Sequence, residues 1–216
     1  MVTTARPITI LVVDDHPLFR EGIVALISNQ SDMKLVAEAG NGCEAIEMVR
    51  TFRPAVVLLD LRMPEMGGLE ALDGIRREAP ACKVIVLTTY SGDVLAQRAL
   101  RAGAQAYLLK GHVRKELLDT IRAVHAGGKR VDPDVAAEIA VHLGETELSD
   151  REIEVLRLVA DGKSNKAIAA QLSITEETAK GHLKSIFAKL GTNDRTHAVT
   201  LALQRGILDL GTRHGG

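Results

Sequence analysis

Apolar and polar positions divide the chain into two stretches with different periods. In the first, short unbroken apolar runs recur: "ITILVVD" (Ile8–Asp14), "LVAE" (Leu35–Glu38), "AVVLLD" (Ala55–Asp60), "KVIVLT" (Lys83–Thr88) and "AYLL" (Ala106–Leu109). They are rich in Val, Ile and Leu and mostly do not alternate, which predicts strands covered on both faces, as in a parallel sheet. Between them lie amphipathic stretches, Pro17–Ser28, Cys43–Phe52, Leu69–Glu78, Val94–Ala102 and Arg114–Ala126, that predict helices. Asn41-x-x-Glu44 supplies a capping signal before the second. Five strands alternating with five crossovers predict an α/β doubly wound five-stranded parallel sheet.

From Leu148 onward the period is wholly helical. Ser149-x-x-Glu152 reads as a capping box opening a helix to about Ala160, which Asp161-Gly162 closes. Ser164 caps a second helix through Leu172, although Ala167 stands where a reciprocal Glu would complete the box. Thr175 caps a third, with Glu176 and Glu177 favourably placed against its dipole. A fourth runs from Arg195 to Arg205, giving an all-α four-helix domain after the sheet. Gly127-Gly128 and then Val131-Asp132-Pro133 mark the end of the first domain, Asp134–Leu143 a short connecting helix, and "GETE" a flexible acidic joint. The boundaries are therefore placed at residues 1–128, 129–147 and 148–216.

Charge sharpens this division. The net charge of −1 hides an uneven distribution: about +2 over residues 1–130, −7 over 131–155 and +4 over 156–205. A strongly acidic joint thus precedes a basic module and is expected to shield it through Glu145, Glu147 and Asp150. There is no Trp, and only two Tyr and three Phe, which argues against a stacking platform for single-stranded nucleic acid. Cys43 and Cys82 form no CxxC, and the seven His show no ligand spacing, so two core thiols and no structural zinc are expected. His16, beside Asp14-Asp15, reads as local packing. No segment is long and apolar enough to span a membrane, and "ITILVV" ends in two Asp, unlike a signal peptide; a cytoplasmic protein is expected.

In doubly wound sheets, ligands bind outside the carboxyl ends of the strands. There the first strand delivers Asp14 and Asp15, the third Asp60, the fourth Thr88 and the fifth Lys110. Clustered carboxylates repel unless a cation lies between them, and oxygen-only ligation suits Mg²⁺. With Mg²⁺ in place Asp60 can act as a nucleophile toward phosphorus, Lys110 supplying a charge and Thr88 a hydroxyl for the new anion. Two other readings stay open for parts of this set. Each Asp alone could be a helix cap. Gly40-x-Gly42-x-x-Ala45, with Asp60 some way beyond, also fits a dinucleotide fingerprint, but a strand carrying two Asp precedes it and Thr88 and Lys110 would be left over. A triphosphatase lacks its GxxxxGK[ST] loop.

The Asp14-Asp15 pair, Asp60 with "RMPEMGG", Thr88, and Tyr107-x-x-Lys110 resemble the receiver domain of two-component response regulators over residues 8–126. The resemblance implies a flavodoxin-like fold and phosphorylation of Asp60 by a partner sensor histidine kinase. It also implies Mg²⁺ held directly by Asp15 and Asp60, by Asp14 mainly through water, and by the Arg62 main-chain carbonyl. Thr88 and Tyr107 would form the switch pair, the ring turning inward as the hydroxyl moves toward phosphate. Gly67 stands where the subfamily commonly has Asp, and Gly111 where many receivers have Pro.

The third helix of the basic module carries an apolar stripe, Ala179, Leu183, Ile186, Phe187 and Leu190, opposite Thr178, Gly181, Lys184, Ser185 and Ala188, with Lys180 at the flank. Residues 148–199, with "SNKAIA", "TAKGHL" and "KLG", resemble the LuxR-type helix-turn-helix domain. That resemblance implies phosphate contacts from Asn165, Lys166 and Thr178, base-edge contacts from Lys180, Gly181 and Lys184, and backbone help from Arg195. Ala167 and Ala179 depart from the usual Glu and Val. Together the two halves match the NarL/FixJ subfamily. This implies a DNA-binding transcriptional regulator, not an enzyme, that binds double-stranded DNA as a homodimer when phosphorylated and has no membrane partner. The alternative is a phosphorylation-independent DNA binder that uses its receiver only to dimerise.

Overall fold

The structure is a computed structural model describing residues 6–89, 92–142 and 146–208. The chain falls into two compact units, residues 1–91 with 96–137, and residues 92–95 with 138–216.

In the first unit β1 (Ile8–Val13) lies between β2 (Met33–Ala39) and β3 (Val56–Asp60), followed outward by β4 (Lys83–Thr88), β5 (Ala106–Leu109) and β6 (Arg130–Val131). All neighbours are parallel and the order is β2-β1-β3-β4-β5-β6. The strand direction of travel across the sheet reverses between β1 and β3, and the chain crosses between strands through α1 (Pro17–Ser28), α2 (Gly42–Phe52), α3 (Gly68–Glu78), α4 (Asp93–Arg101) and α5 (Val113–His125). Among the described residues the sheet has six strands, not the five expected. The sixth is two residues long, too short to carry a periodic signal; it exists because Arg130 and Val131 register against Ala106 and Tyr107. Val131-Asp132-Pro133 therefore extends the sheet and leads into α6 (Pro133–Val141) rather than closing the domain.

The central strands are apolar on both sides because both sides are covered. Ile10, Val12, Leu58, Ile85 and Leu108 pack with Ile23 and Ile27 of α1 and Leu117, Ile121 and Val124 of α5. The alternate residues Leu11, Val13, Val57, Leu59 and Val86 are equally buried. Each such Leu, Ile or Val contributes ~1.5–3 kcal/mol by leaving water. Asn41 caps α2 as expected, its Oδ1 accepting from the Glu44 N–H at 2.9 Å, while Glu44 Oε2 accepts from the Gly40 N–H at 2.7 Å.

The second unit contains α7 (Asp150–Ala160), α8 (Asn165–Leu172), α9 (Glu176–Lys189) and α10 (Arg195–Gln204). Val155, Leu156, Ile168, Leu183, Ile186, Ala198 and Ala202 form its core. The Ser149–Glu152 capping box is complete, and Ser164 and Thr175 accept from the Ala167 and Thr178 N–H groups. The "GETE" joint lies partly outside the described residues.

Candidate functional site

At the carboxyl edge of the sheet, next to the reversal between β1 and β3, the acidic residues converge. Asp60 ends β3 and Asp14 follows β1; they are 3% and 1% exposed, whereas Asp15 is half-buried. Asp14, Asp15, His16 and Asp60 each offer a ligand atom, all within 4.8 Å of one another. Lys110, one residue beyond β5, sends its ammonium between two of them, 2.6 Å from Asp60 Oδ2 and 2.7 Å from Asp14 Oδ2. Burial raises the Asp60 carboxyl above its ordinary range, against the pull of Lys110. For Lys110 burial opposes the charge, but its bonds to Asp14 and Asp60 outweigh it and hold the ammonium above its usual value.

The loop after Asp60 is shaped around it. The Arg62 N–H donates to Asp60 Oδ1 at 3.2 Å. The Gly68 N–H donates to the Leu61 carbonyl, and a Cβ at Gly68 would lie 2.2 Å from the Asp60 carbonyl oxygen, so only glycine lets α3 start this close. None of the three Asp is a helix cap: α1 is capped at His16 and α3 at Gly67, neither through a side chain. The dinucleotide reading also fails on geometry. A Cβ at Gly42 would strike Met66 at 2.7 Å, so the space over that glycine is filled by the loop following Asp60.

Thr88 ends β4 fully buried and close to Tyr107, whose ring is also fully buried. Burial pushes the phenol far above its ordinary pKa. The tyrosine is thus inward in this structure. Sequence reasoning took His16 for local packing and left two further neighbours, Phe19 and Arg20, out. His16 Nδ1 stands 2.6 Å from Asp15 Oδ1 and 3.3 Å from Asp14 Oδ1. Arg20 Nη1 donates to the Asp14 carbonyl at 2.6 Å, and the Phe19 ring lies 4.7 Å from the Lys110 ammonium. Their signal was the spacing Asp14-x-His16-x-x-Phe19-Arg20, the first turn of α1 facing the acidic edge.

In the second unit, Ser173 takes a left-handed conformation at φ 55°, and the Ile174 N–H closes back on the Ala169 carbonyl, which turns α8 sharply into α9. On α9, Ala179, Leu183, Ile186 and Leu190 are buried and Phe187 is half-buried. Thr178, Lys180, Gly181, Lys184 and Ala188 are exposed. Ser185 departs from the expected open face: its hydroxyl donates to Glu152 Oε1 at 2.6 Å. Lys180 pairs with Glu176 at 3.1 Å, and Lys166 is exposed at the start of α8. Arg195 donates to Asn165 Oδ1 at 3.4 Å and to the Lys163 carbonyl, joining the first turns of α8 and α10. Asn165, Lys180, Leu183, Lys184, Phe187 and Asn193 line one open depression of about 500 Å³.

Comparison with known proteins bears on both units. The response regulator receiver domain family matches residues 10–122, and the bacterial regulatory proteins of the luxR family match residues 146–202. The chain belongs to the LuxR/NarL-type response regulators. It is 39% identical over 209 residues to the transcriptional regulatory protein YdfI of Bacillus subtilis, covering 93% of this chain and 98% of that one. It is 37% identical over 206 residues to the response regulator VraR of Staphylococcus aureus, covering 93% and 99%. Among solved structures, RcsB of Salmonella enterica serovar Typhimurium, bound to promoter P1flhDC in the presence of the phosphomimetic BeF₃⁻, superposes with a TM-score of 0.73 at 25% identity, covering 93% of this chain and all of that one.

The regulator thus combines a receiver domain with a DNA-binding helix-turn-helix. Of the acidic residues preceding its basic surface, Glu152 and Glu154 already hold cations of the same unit, Lys189 at 2.7 Å and Arg151 at 2.7 Å. Glu145 of the expected shield lies outside the described residues. Among the described residues no helix is long and apolar enough to cross a membrane.

Proposed function

We propose that this response regulator is a transcription factor switched by phosphorylation of Asp60 from a partner sensor histidine kinase, the phosphorylated form binding double-stranded DNA as a homodimer. The observation that carries the reading is Asp60 itself: a buried carboxylate gathered with Asp14 and Asp15 and bonded to Lys110. No simple structural need explains so costly a cluster, whereas phosphoryl transfer explains every member. A carboxylate oxygen of Asp60 attacks phosphorus, the phosphorus–nitrogen bond to the donor imidazole breaks, and the imidazole nitrogen keeps the electron pair and takes up a proton from solvent.

The donor set fits magnesium, being three carboxylates and a backbone carbonyl. Asp15 and Asp60 would hold the ion directly, Asp14 mainly through water, and Arg62 through its carbonyl. When bound, the ion supplies positive charge that offsets the carboxylates and the incoming phosphoryl oxygens. Lys110 is placed to move its ammonium from the Asp60 carboxylate onto a phosphoryl oxygen. Thr88 can donate its hydroxyl to another.

The helix-turn-helix supplies the output. Lys180, Gly181 and Lys184 on α9 would meet base edges in the major groove, with Asn165, Lys166, Thr178 and Arg195 on the phosphates. Gly181 supports this: a Cβ there would meet nothing within 4 Å, so no contact among the described residues explains a helix-weakening glycine in mid-α9. The structure of the relative RcsB on promoter DNA with a phosphomimetic supports the same pairing of input and output.

Two measurements test the proposal. Incubation with a small phosphodonor and magnesium should give an acid-stable, base-labile adduct mapped to Asp60 by mass spectrometry and missing in Asp60→Asn. Genome-wide footprinting of wild type against Asp60→Asn should lose phosphorylation-dependent sites in the variant. An adduct elsewhere, or identical footprints, would leave only a phosphorylation-independent DNA binder.

A further inference from the structure

Lys110 can serve phosphoryl chemistry only if its loop holds it still, and the loop's own backbone bonds flank a glycine. The residue after it, Gly111, has a side-chain position facing open space, so nothing packs there. Glycine gives a backbone its greatest freedom. His112 then stands at the N-cap of α5 without making a side-chain cap. The Lys110 N–H is anchored on the Thr88 carbonyl, and one further backbone bond, from the His112 N–H to the Leu109 carbonyl at 2.9 Å, closes the turn across Lys110 and Gly111.

Side-chain support for the loop comes from outside it. Asp132, between β6 and α6, is fully buried, and its side chain joins three segments. Its Oδ2 accepts from His112 Nδ1 at 2.7 Å and weakly from the Leu109 N–H at 3.4 Å. Its Oδ1 accepts from the Asp134 N–H at 3.1 Å and so caps α6. The Asp132 N–H donates to the carbonyl of Tyr107, fixing the carboxylate beside β5. His112 faces Asp132 and, at 4.0 Å, Asp134 from the α6 side; Glu116, one turn along α5, adds negative charge and is itself 3.9 Å from Arg130 of β6. Both oxygens of Asp132 accept from protein donors, which ties the end of β5, the start of α5 and the start of α6 to one carboxylate.

We propose that Asp132 and His112 are positioning residues for Lys110: their contact spans the flexible Gly111 and holds the ammonium in register with Asp60. The inference rests on the reading of Asp60 as phosphoryl acceptor. It also accounts for Gly111. A rigid residue after the lysine is not required where the next side chain is braced from α6.

The test uses the full chain, a small phosphodonor such as phosphoramidate, magnesium, and the rate of Asp60 phosphorylation followed by intact-mass spectrometry. Asp132→Ser retains a hydroxyl able to cap α6 but too short to reach His112; His112 is partly exposed, so His112→Ala removes the contact without opening the core. Each single variant is expected to slow phosphorylation roughly tenfold, within the ~10²-fold that a displaced group can lose. The double variant should be no slower than the worse single one, because both remove the same contact. Gly111→Ala placed in the His112→Ala background should recover part of the rate by stiffening the loop.

Single variants phosphorylated at the wild-type rate would overturn the proposal, as would losses that multiply in the double variant. In both cases a wild-type adduct absent from Asp60→Asn would leave the reading of Asp60 standing. A wild-type chain that forms no adduct would remove both.

Discussion

The Lys110 ammonium lies 2.6 Å from one carboxylate oxygen of Asp60 and 2.7 Å from one of Asp14, closing a bridge between the ends of β3 and β1. The bridge forms because the parallel register of β4 and β5 ends with Thr88 opposite Leu109, which carries the next residue to the acidic edge. Lys110→Ala should slow Asp60 phosphorylation by about 10²-fold, the scale for removing one donor from a developing anion. The thermal melt should also shift, since breaking a buried ion pair costs ~3–5 kcal/mol. Phosphorylation at the wild-type rate would show that the lysine serves only the fold.

Magnesium should stabilise the receiver measurably. A ligand at 100 times its dissociation constant adds ~2.7 kcal/mol to the folded state. Calorimetry with and without the ion should show this gain in the wild type, and it should shrink in Asp15→Asn. Chelation should abolish adduct formation at Asp60. An unchanged melt at saturating magnesium would count against the assigned donors.

Glu152 sets an acid limit on the helical module. Burial alone would raise its carboxyl, but bonds from Lys189, Ser185 and Ser149 overcome this and hold it at about 2. A carboxyl depressed in the folded state contributes stability fully above its unfolded value near 4.5, and that contribution fades as pH falls toward about 2. Glu152→Gln should therefore cost ~1–3 kcal/mol at neutral pH, with the gap to wild type narrowing through that window. Urea unfolding followed by circular dichroism at several pH values reads this directly. A gap independent of pH would mean that the loss is one of packing.

Gly181 and Lys184 separate stability from DNA binding. Gly181→Ala should stabilise α9 by ~0.5–1 kcal/mol, because glycine is a poor helix former and the site is open. The same change should weaken specific DNA binding by crowding the groove. Lys184→Ala should leave the melt unchanged and weaken specific binding by ~1–3 kcal/mol if it reads a base edge. Melts beside gel shifts at fixed salt check both signs. Tighter binding by Gly181→Ala would place this face away from the groove.

Much of this molecule is written in local order along the chain. Apolar runs at Val56–Asp60 and Lys83–Thr88 fixed their strands because burial on both faces leaves no polar alternation to misread. Ser149, Ser164 and Thr175 announced their helices because a cap acts within one turn. The acidic edge was legible too, since a parallel sheet brings all carboxyl ends to one side, so Asp14, Asp60, Thr88 and Lys110 can be gathered from strand order alone.

What only the tertiary structure decided depends on residues far apart in sequence. β6 exists only through its pairing with β5. Ser185 left the open face of α9 because Glu152 lies across from it. His112 meets Asp132 twenty residues away, a contact that ties the start of α5 to the carboxylate that caps α6. Period and capping are short-range properties that a sequence displays directly; the geometry of a bridge or a brace is set by how separate elements pack, which no local pattern encodes.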